Sequence, residues 1–126
     1  SFWCIIKKKR FTLHGDGKQK RTFLHVRDFC EALDIIINKG KNFEFFNIGT
    51  DEEFRNKDLI KLICKITSTD FNKLIKKSAD RLFNDVRYSI DYKKIEKLGW
   101  RKKRNFIESL KEIHDWTIKN HSNFSR

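Results

Sequence analysis

Most residues able to do chemistry in this chain are cations. Lys and Arg number 29 against 17 Asp and Glu, a formal net charge of +12. Such an excess has two readings. One is a compositional bias toward Lys, Asn, Ile and Phe, also visible in the absence of proline. The other is an anionic partner: nucleic acid, an acidic membrane or a phosphorylated small molecule. Charge alone does not choose between them. The cysteines are Cys4, Cys30 and Cys64. They are odd in number, widely spaced and lack a Cys-x-x-Cys pair, which argues against a disulfide framework and a zinc site. Cys30 and Cys64 fall in apolar helical patterns, which predicts buried free thiols and fits a reducing cytoplasm. His25 falls in a predicted strand and reads as a structural rather than a catalytic histidine.

The elements that must position these groups follow from periodicity. Residues 1–10 read as a helix end with a basic last turn. Phe11 to His14 is a short extended stretch, and Gly15-Asp16-Gly17-Lys18 is a turn whose glycines can take positive φ. Thr22 to Val26 is predicted as a strand. Asp28 is predicted to cap a helix, with Glu31 completing a capping box and Gly40 stopping it. Phe43 to Ile48 is predicted as the next strand, making a βαβ crossover with a parallel pair. A second helix opens at Asn56 or Asp58, and Thr67 to Asp70 interrupts it. Asp80 to Tyr88 is irregular. Asp91 and Asn105 read as caps of two further helices, with Gly99 between them, and Trp100 and Trp116 as packing residues. No apolar run approaches the roughly 20 residues of a membrane span, and the basic residues follow the first apolar stretch, the reverse of a signal peptide. The chain opens without Met in mid-pattern, and a parallel pair alone would leave open edges. Both predict an upstream portion.

The segment from Gly15-Asp16-Gly17 through Arg21-Thr22-Phe23-Leu24-His25-Val26-Arg27-Asp28 resembles the loop-strand-helix segment of extended short-chain dehydrogenases. Phe46-Asn47-Ile48-Gly49-Thr50 resembles the family's next strand. Asp80-Arg81-Leu82-Phe83-Asn84-Asp85-Val86-Arg87-Tyr88 is similar to the substrate-domain signature of dTDP-glucose and UDP-glucose 4,6-dehydratases. Asp91, Lys94 and Leu98-Gly99-Trp100 fit the tail. The resemblance implies an α/β fold: the last Rossmann βαβ unit over 1–50 and a small, mainly helical substrate-binding domain over 51–126. It implies that Arg21 and Arg81 hold the diphosphate of a dTDP- or UDP-sugar, as suits a planar guanidinium fork. Asn47 and Asn84 would contact the nucleotide, and Thr12 and His14 would line the base pocket. Asp80 reads either as orienting Arg81 by a charge-assisted bond or as an exposed acid. Leu82 replaces the family's proline, so this loop lacks a fixed φ there.

The dinucleotide glycine fingerprint is missing, because glycines 15, 17, 40, 49 and 99 do not have its spacing. The family's catalytic Tyr-x-x-x-Lys is also missing: Tyr88 is followed four residues on by Tyr92, and Tyr92 by Glu96. The resemblance therefore implies the C-terminal portion of an NAD-dependent dehydratase, with NAD and the proton-transfer residues in an upstream Rossmann half. The chain alone is expected to be inactive. The full-length enzyme is expected to dimerise in the cytoplasm. Within the family the alternative is a nucleotide-sugar epimerase or decarboxylase. Outside it, one alternative is a basic nucleic-acid-binding module, disfavoured because most aromatics fit core positions and no RNP, KH or zinc motif occurs. Another is a remnant that binds nothing.

Overall fold

A computed structural model describes residues 2–124. In chain order the elements are α1 (Phe2–Ile6), β1 (Phe11–His14), β2 (Lys20–Thr22), α2 (Val26–Lys39) and β3 (Glu53–Arg55). Then come α3 (Asn56–Ile66), α4 (Phe71–Leu74), β4 (Ile75–Ser78), α5 (Lys93–Lys97) and α6 (Phe106–Asn120), with a closing 3-10 turn at His121–Phe124. No described helix is long and apolar enough to cross a membrane.

Local chemistry explains most boundaries. Asn105 caps α6, its Oδ1 accepting from the backbone N–H of Ile107 at 2.9 Å and Glu108 at 3.2 Å. Asp91 does the same for the turn entering α5, accepting from Lys93 N–H at 2.9 Å. Thr67 ends α3 and ties its hydroxyl back to Ile63 O at 2.9 Å. Gly40 ends α2 at φ −70, so its lack of a side chain matters for space rather than handedness: a Cβ there would lie 2.6 Å from Ile36 O.

Two expectations fail at α2. The predicted strand over Thr22–Val26 is confined to Lys20–Thr22, and Val26 already belongs to the helix. The cap is His25, whose Nδ1 accepts from Arg27 N–H at 3.1 Å, not Asp28. Asp28 is 0 % exposed and does a different job. Its carboxylate accepts from Arg104 Nη1 at 2.5 Å and from the backbone N–H groups of Lys103 and Arg104, both at 3.3 Å. Glu31 is no capping-box partner either, since it pairs with Arg104 at 2.9 Å and Lys103 at 2.7 Å. An acid that is buried this fully must be paired, and the partner comes from more than 70 residues along the chain.

The predicted parallel pair is also redrawn. Phe43 to Ile48 forms no ladder with another described strand. Phe43 sits at φ +63, and Phe43 and Phe45 are 101 % and 93 % exposed, while Phe46 and Ile48 pack inward. The parallel pair is instead β1 with β4, Phe11 facing Ile75 and His14 facing Ser78. β2 pairs antiparallel with β3, Arg21 facing Phe54. Nothing in the sequence marks Lys76-Lys77 as strand, because that strand is set by its partner rather than by its own composition.

Three apolar clusters hold these pieces. Leu13, Ile60, Cys64, Leu74 and Ile75 fix β1 and β4 onto α3. Phe2, Ile63 and Leu110 join α1, α3 and α6. Ala32, Ile95 and Trp100 join α2 to α5, and Trp100 Nε1 donates to Asp28 O at 3.0 Å. Each fully buried aliphatic or aromatic side chain contributes about 1.5–3 kcal/mol. Cys64 is buried as expected, and burial together with nearby Asp70 pushes its thiol pKa up. Cys30 is exposed and Trp116 is 53 % exposed, against expectation.

Candidate functional site

Gly15 and Gly17 take φ +58 and +70, as the Gly-Asp-Gly turn requires. Gly15 N–H donates to Ser78 O at 3.0 Å, and Gly17 O accepts from Lys57 N–H at 3.0 Å. The turn is thereby stitched to the end of β4 on one side and to the start of α3 on the other. The space between them is a cleft of about 360 Å³.

Thr12, His14, Arg21, Arg81 and Asn84 all line this cleft, so five of the six expected binding residues gather at one place from three separate segments. Phe11, Leu59 and Ile60 supply an apolar wall, and the lining holds two arginines and no carboxylate. Asn47 is not in the lining. It is exposed, and its side-chain amide donates to Asp91 O at 3.2 Å. Gln19 and Asn56 line the cleft without having been singled out. Alternation along an extended segment would have found Gln19, because residues two apart share a face and Arg21 was already marked.

Arg21 is placed by its neighbours. Its Nη1 donates to Lys20 O at 2.7 Å and Asp85 O at 3.0 Å, its Nη2 to Asn84 Oδ1 at 3.4 Å. The guanidinium lies over the Tyr88 ring, 4.4 Å from its centroid. The Tyr88 hydroxyl bonds Asp85, which pushes the phenol pKa up. The same loop is bound to β2 by Lys20 N–H to Val86 O at 2.8 Å. Beside it Glu53 takes Arg87 at 2.5 Å and Lys20 at 3.0 Å, and those two cations, Arg87 first, hold its carboxyl below the usual range. Glu53 thus neutralises cations outside the cleft, and Arg21 and Arg81 supply the charge within it. His14 Nδ1 lies 3.3 Å from Ala79 O, at the rim.

One of the two readings of Asp80 was a charge-assisted bond to Arg81. Its Oδ1 accepts instead from the Arg81 backbone N–H, at 2.9 Å, and the Arg81 side chain lines the cleft. An electropositive, half-apolar cleft of this size can take a phosphorylated ligand with a flat or apolar group attached.

The helices of eight residues or more open on His25, Arg55 and Asn105, so none presents the close glycine backbone that a pyrophosphate approach needs. No group of three His, Cys, Asp or Glu among the described residues could hold a metal ion.

Solved structures share this arrangement. A dTDP-glucose 4,6-dehydratase from Streptomyces venezuelae, solved with NAD bound, superposes with a TM-score of 0.90 at 29 % identity, over 96 % of this chain and 38 % of its own. A UDP-glucose 4-epimerase from Thermotoga maritima, solved with UDP-glucose, gives a TM-score of 0.85 at 29 % identity over 95 % of this chain and 38 % of its own. The fold class is therefore that of nucleotide-sugar dehydratases and epimerases, of which this chain has the arrangement of one part. The chain matches the GDP-mannose 4,6 dehydratase family over residues 4–113 and belongs to it. A trifunctional UDP-glucose 4,6-dehydratase/UDP-4-keto-6-deoxy-D-glucose 3,5-epimerase/UDP-4-keto-L-rhamnose-reductase of Arabidopsis thaliana is 40 % identical over 108 residues, 86 % of this chain and 16 % of that protein. The human dTDP-D-glucose 4,6-dehydratase is 36 % identical over 121 residues, 92 % of this chain and 35 % of that protein. The chain thus spans only about a sixth to about a third of these two relatives. Relatives and neighbours of this kind favour a nucleotide-sugar reading over a nucleic-acid-binding one.

Proposed function

We propose that this chain binds the nucleotide-diphosphate part of dTDP- or UDP-glucose, as the C-terminal portion of a 4,6-dehydratase that makes a 4-keto-6-deoxy sugar nucleotide. The observation that supports this most is the cleft itself, which joins Arg21, Arg81, Asn84, His14 and Thr12 without a carboxylate. In this reading Arg21 and Arg81 meet the diphosphate from two sides, and Thr12 and His14 face the base. Asn84 contacts the nucleotide. Asn47 contacts it only in an assembly that brings it to the ligand. Residues 1–50 end the Rossmann half and residues 51–126 form the substrate-binding part. NAD, the proton-transfer residues and the dimer interface belong to the upstream half of the full-length enzyme. The chain holds the substrate and moves no proton, so it is inactive alone.

Calorimetric titration tests this. Either nucleotide sugar should bind, and Arg81→Ala, an exposed position, should weaken binding about tenfold or more, as expected for a lost charge-assisted contact. Unaltered affinity in that variant would contradict the role given to Arg81. Turnover of UDP- or dTDP-glucose by the pure chain with NAD would contradict the claim of inactivity.

A further inference from the structure

Asp80 stands where three segments of the cleft meet. Its Oδ2 accepts from Gln19 Nε2 at 2.9 Å, and its Oδ1 accepts from Arg81 N–H and Asn84 Nδ2, both at 2.9 Å. Gln19 is only 7 % exposed, immediately precedes β2 and presents its amide NH2 to the Asp80 carboxylate. A Cβ on Gly15 would lie 2.7 Å from Asp80 Oδ2, so the Gly-Asp-Gly turn is packed against the same carboxylate. The chain of contacts continues. With its NH2 on Asp80, Asn84 must turn its oxygen the other way, and that oxygen accepts from Arg21 Nη2 at 3.4 Å. Asp80 therefore holds the backbone of one cleft arginine directly and the side chain of the other through Asn84. Its three hydrogen-bond partners all donate, which a carboxylate satisfies with both oxygens.

We infer that Asp80, with Gln19, is the positioning pair that sets the spacing of Arg21 and Arg81 for a diphosphate. This rests on the reading of the cleft as a nucleotide-diphosphate site. Asp80 touches no phosphate in this account. It acts through the two arginines, so its loss should show on ligands that carry the diphosphate and not on the nucleoside.

The test uses the chain as it is, with UDP and uridine as probes followed by amide NMR shifts. Asp80→Asn replaces the charged acceptor shared by three donors with a neutral amide and should weaken UDP about tenfold while leaving uridine unchanged. Adding Gln19→Glu reverses the polarity of the contact, because the new amide now donates to the new carboxylate. UDP affinity should then return to within about threefold of the starting value, taking one restored charge-assisted contact as the measure. Should Asp80→Asn lose its dispersed spectrum, the double variant carries the test: recovered fold with recovered UDP binding supports the pair, and failure to recover overturns it. UDP affinity unchanged in Asp80→Asn, or UDP and uridine weakened equally, overturns the inference and leaves the proposed function standing. A starting chain that binds neither probe overturns both.

Discussion

Gly15 shows how little room the turn leaves beside Asp80. Its φ is +58, and the nearest atom to an added Cβ is the Asp80 carboxylate. Gly15→Ala combines left-handed strain with that clash and should destabilise the chain by about 1–2 kcal/mol, read as a lower thermal midpoint. Gly99→Ala is the control. Its φ is +100 but the nearest atom is 3.8 Å away, so strain acts there without a clash. At this scale much was legible. The glycine turn stands out by type and spacing, the two arginines stand out through the family resemblance, and both arginines line one cleft. That Asp80 meets Gln19 was not legible, because it depends on which segment lies opposite, although alternation from Arg21 would have placed Gln19 in the cleft. Asn47 shows the converse, a residue marked by its motif that among the described residues is held by Asp91 O.

At the scale of elements, the start of α2 is tied to the start of α6 through charge. Asp28 is the hub, and its burial is complete. Asp28→Ala should cost about 3 kcal/mol, because buried N–H groups and a guanidinium lose their acceptor; chemical denaturation measures it. The β2–β3 pair is held from outside by Glu53 between Arg87 and Lys20. Those cations lower its carboxyl pKa in the folded state. A depressed carboxylate stabilises the fold above its unfolded pKa of about 4.3, and that contribution is lost as pH falls through the folded value. Stability should therefore fall below about pH 4.3, and Glu53→Gln should flatten that part of the profile. The helices were legible from their apolar spacing and caps, with the exception of the α2 cap, where an imidazole replaced the expected carboxylate. The strands were less legible. Short strands take their identity from the neighbours they pair with, so β4 was missed, and Phe43 to Ile48 has the composition of a strand without a described partner.

For the whole molecule, positive charge is in excess and several aromatics are exposed. Phe43, Phe45 and Phe83 are almost wholly exposed, although most aromatics were expected in the core. The resemblance to a family, and not composition, gave the fold class, and the superposition on dehydratase structures agrees with it. Contacts between β1 and β4 and between Asp28 and Arg104 cross residue 50, so the two sequence halves are built on each other. The cleft lies along that junction, with Thr12, His14 and Arg21 from one half and Arg81 and Asn84 from the other.

The central claim is that this junction receives the diphosphate of a nucleotide sugar. Its most direct test is an amide proton–nitrogen NMR titration of the purified chain with UDP and with dTDP. A dispersed spectrum with saturable shifts concentrated at His14, Gln19, Arg21, Arg81 and Asn84 is expected, and the nucleotide with the tighter saturation is the preferred one. A dispersed spectrum that neither nucleotide perturbs, or shifts that fall away from these residues, would contradict it.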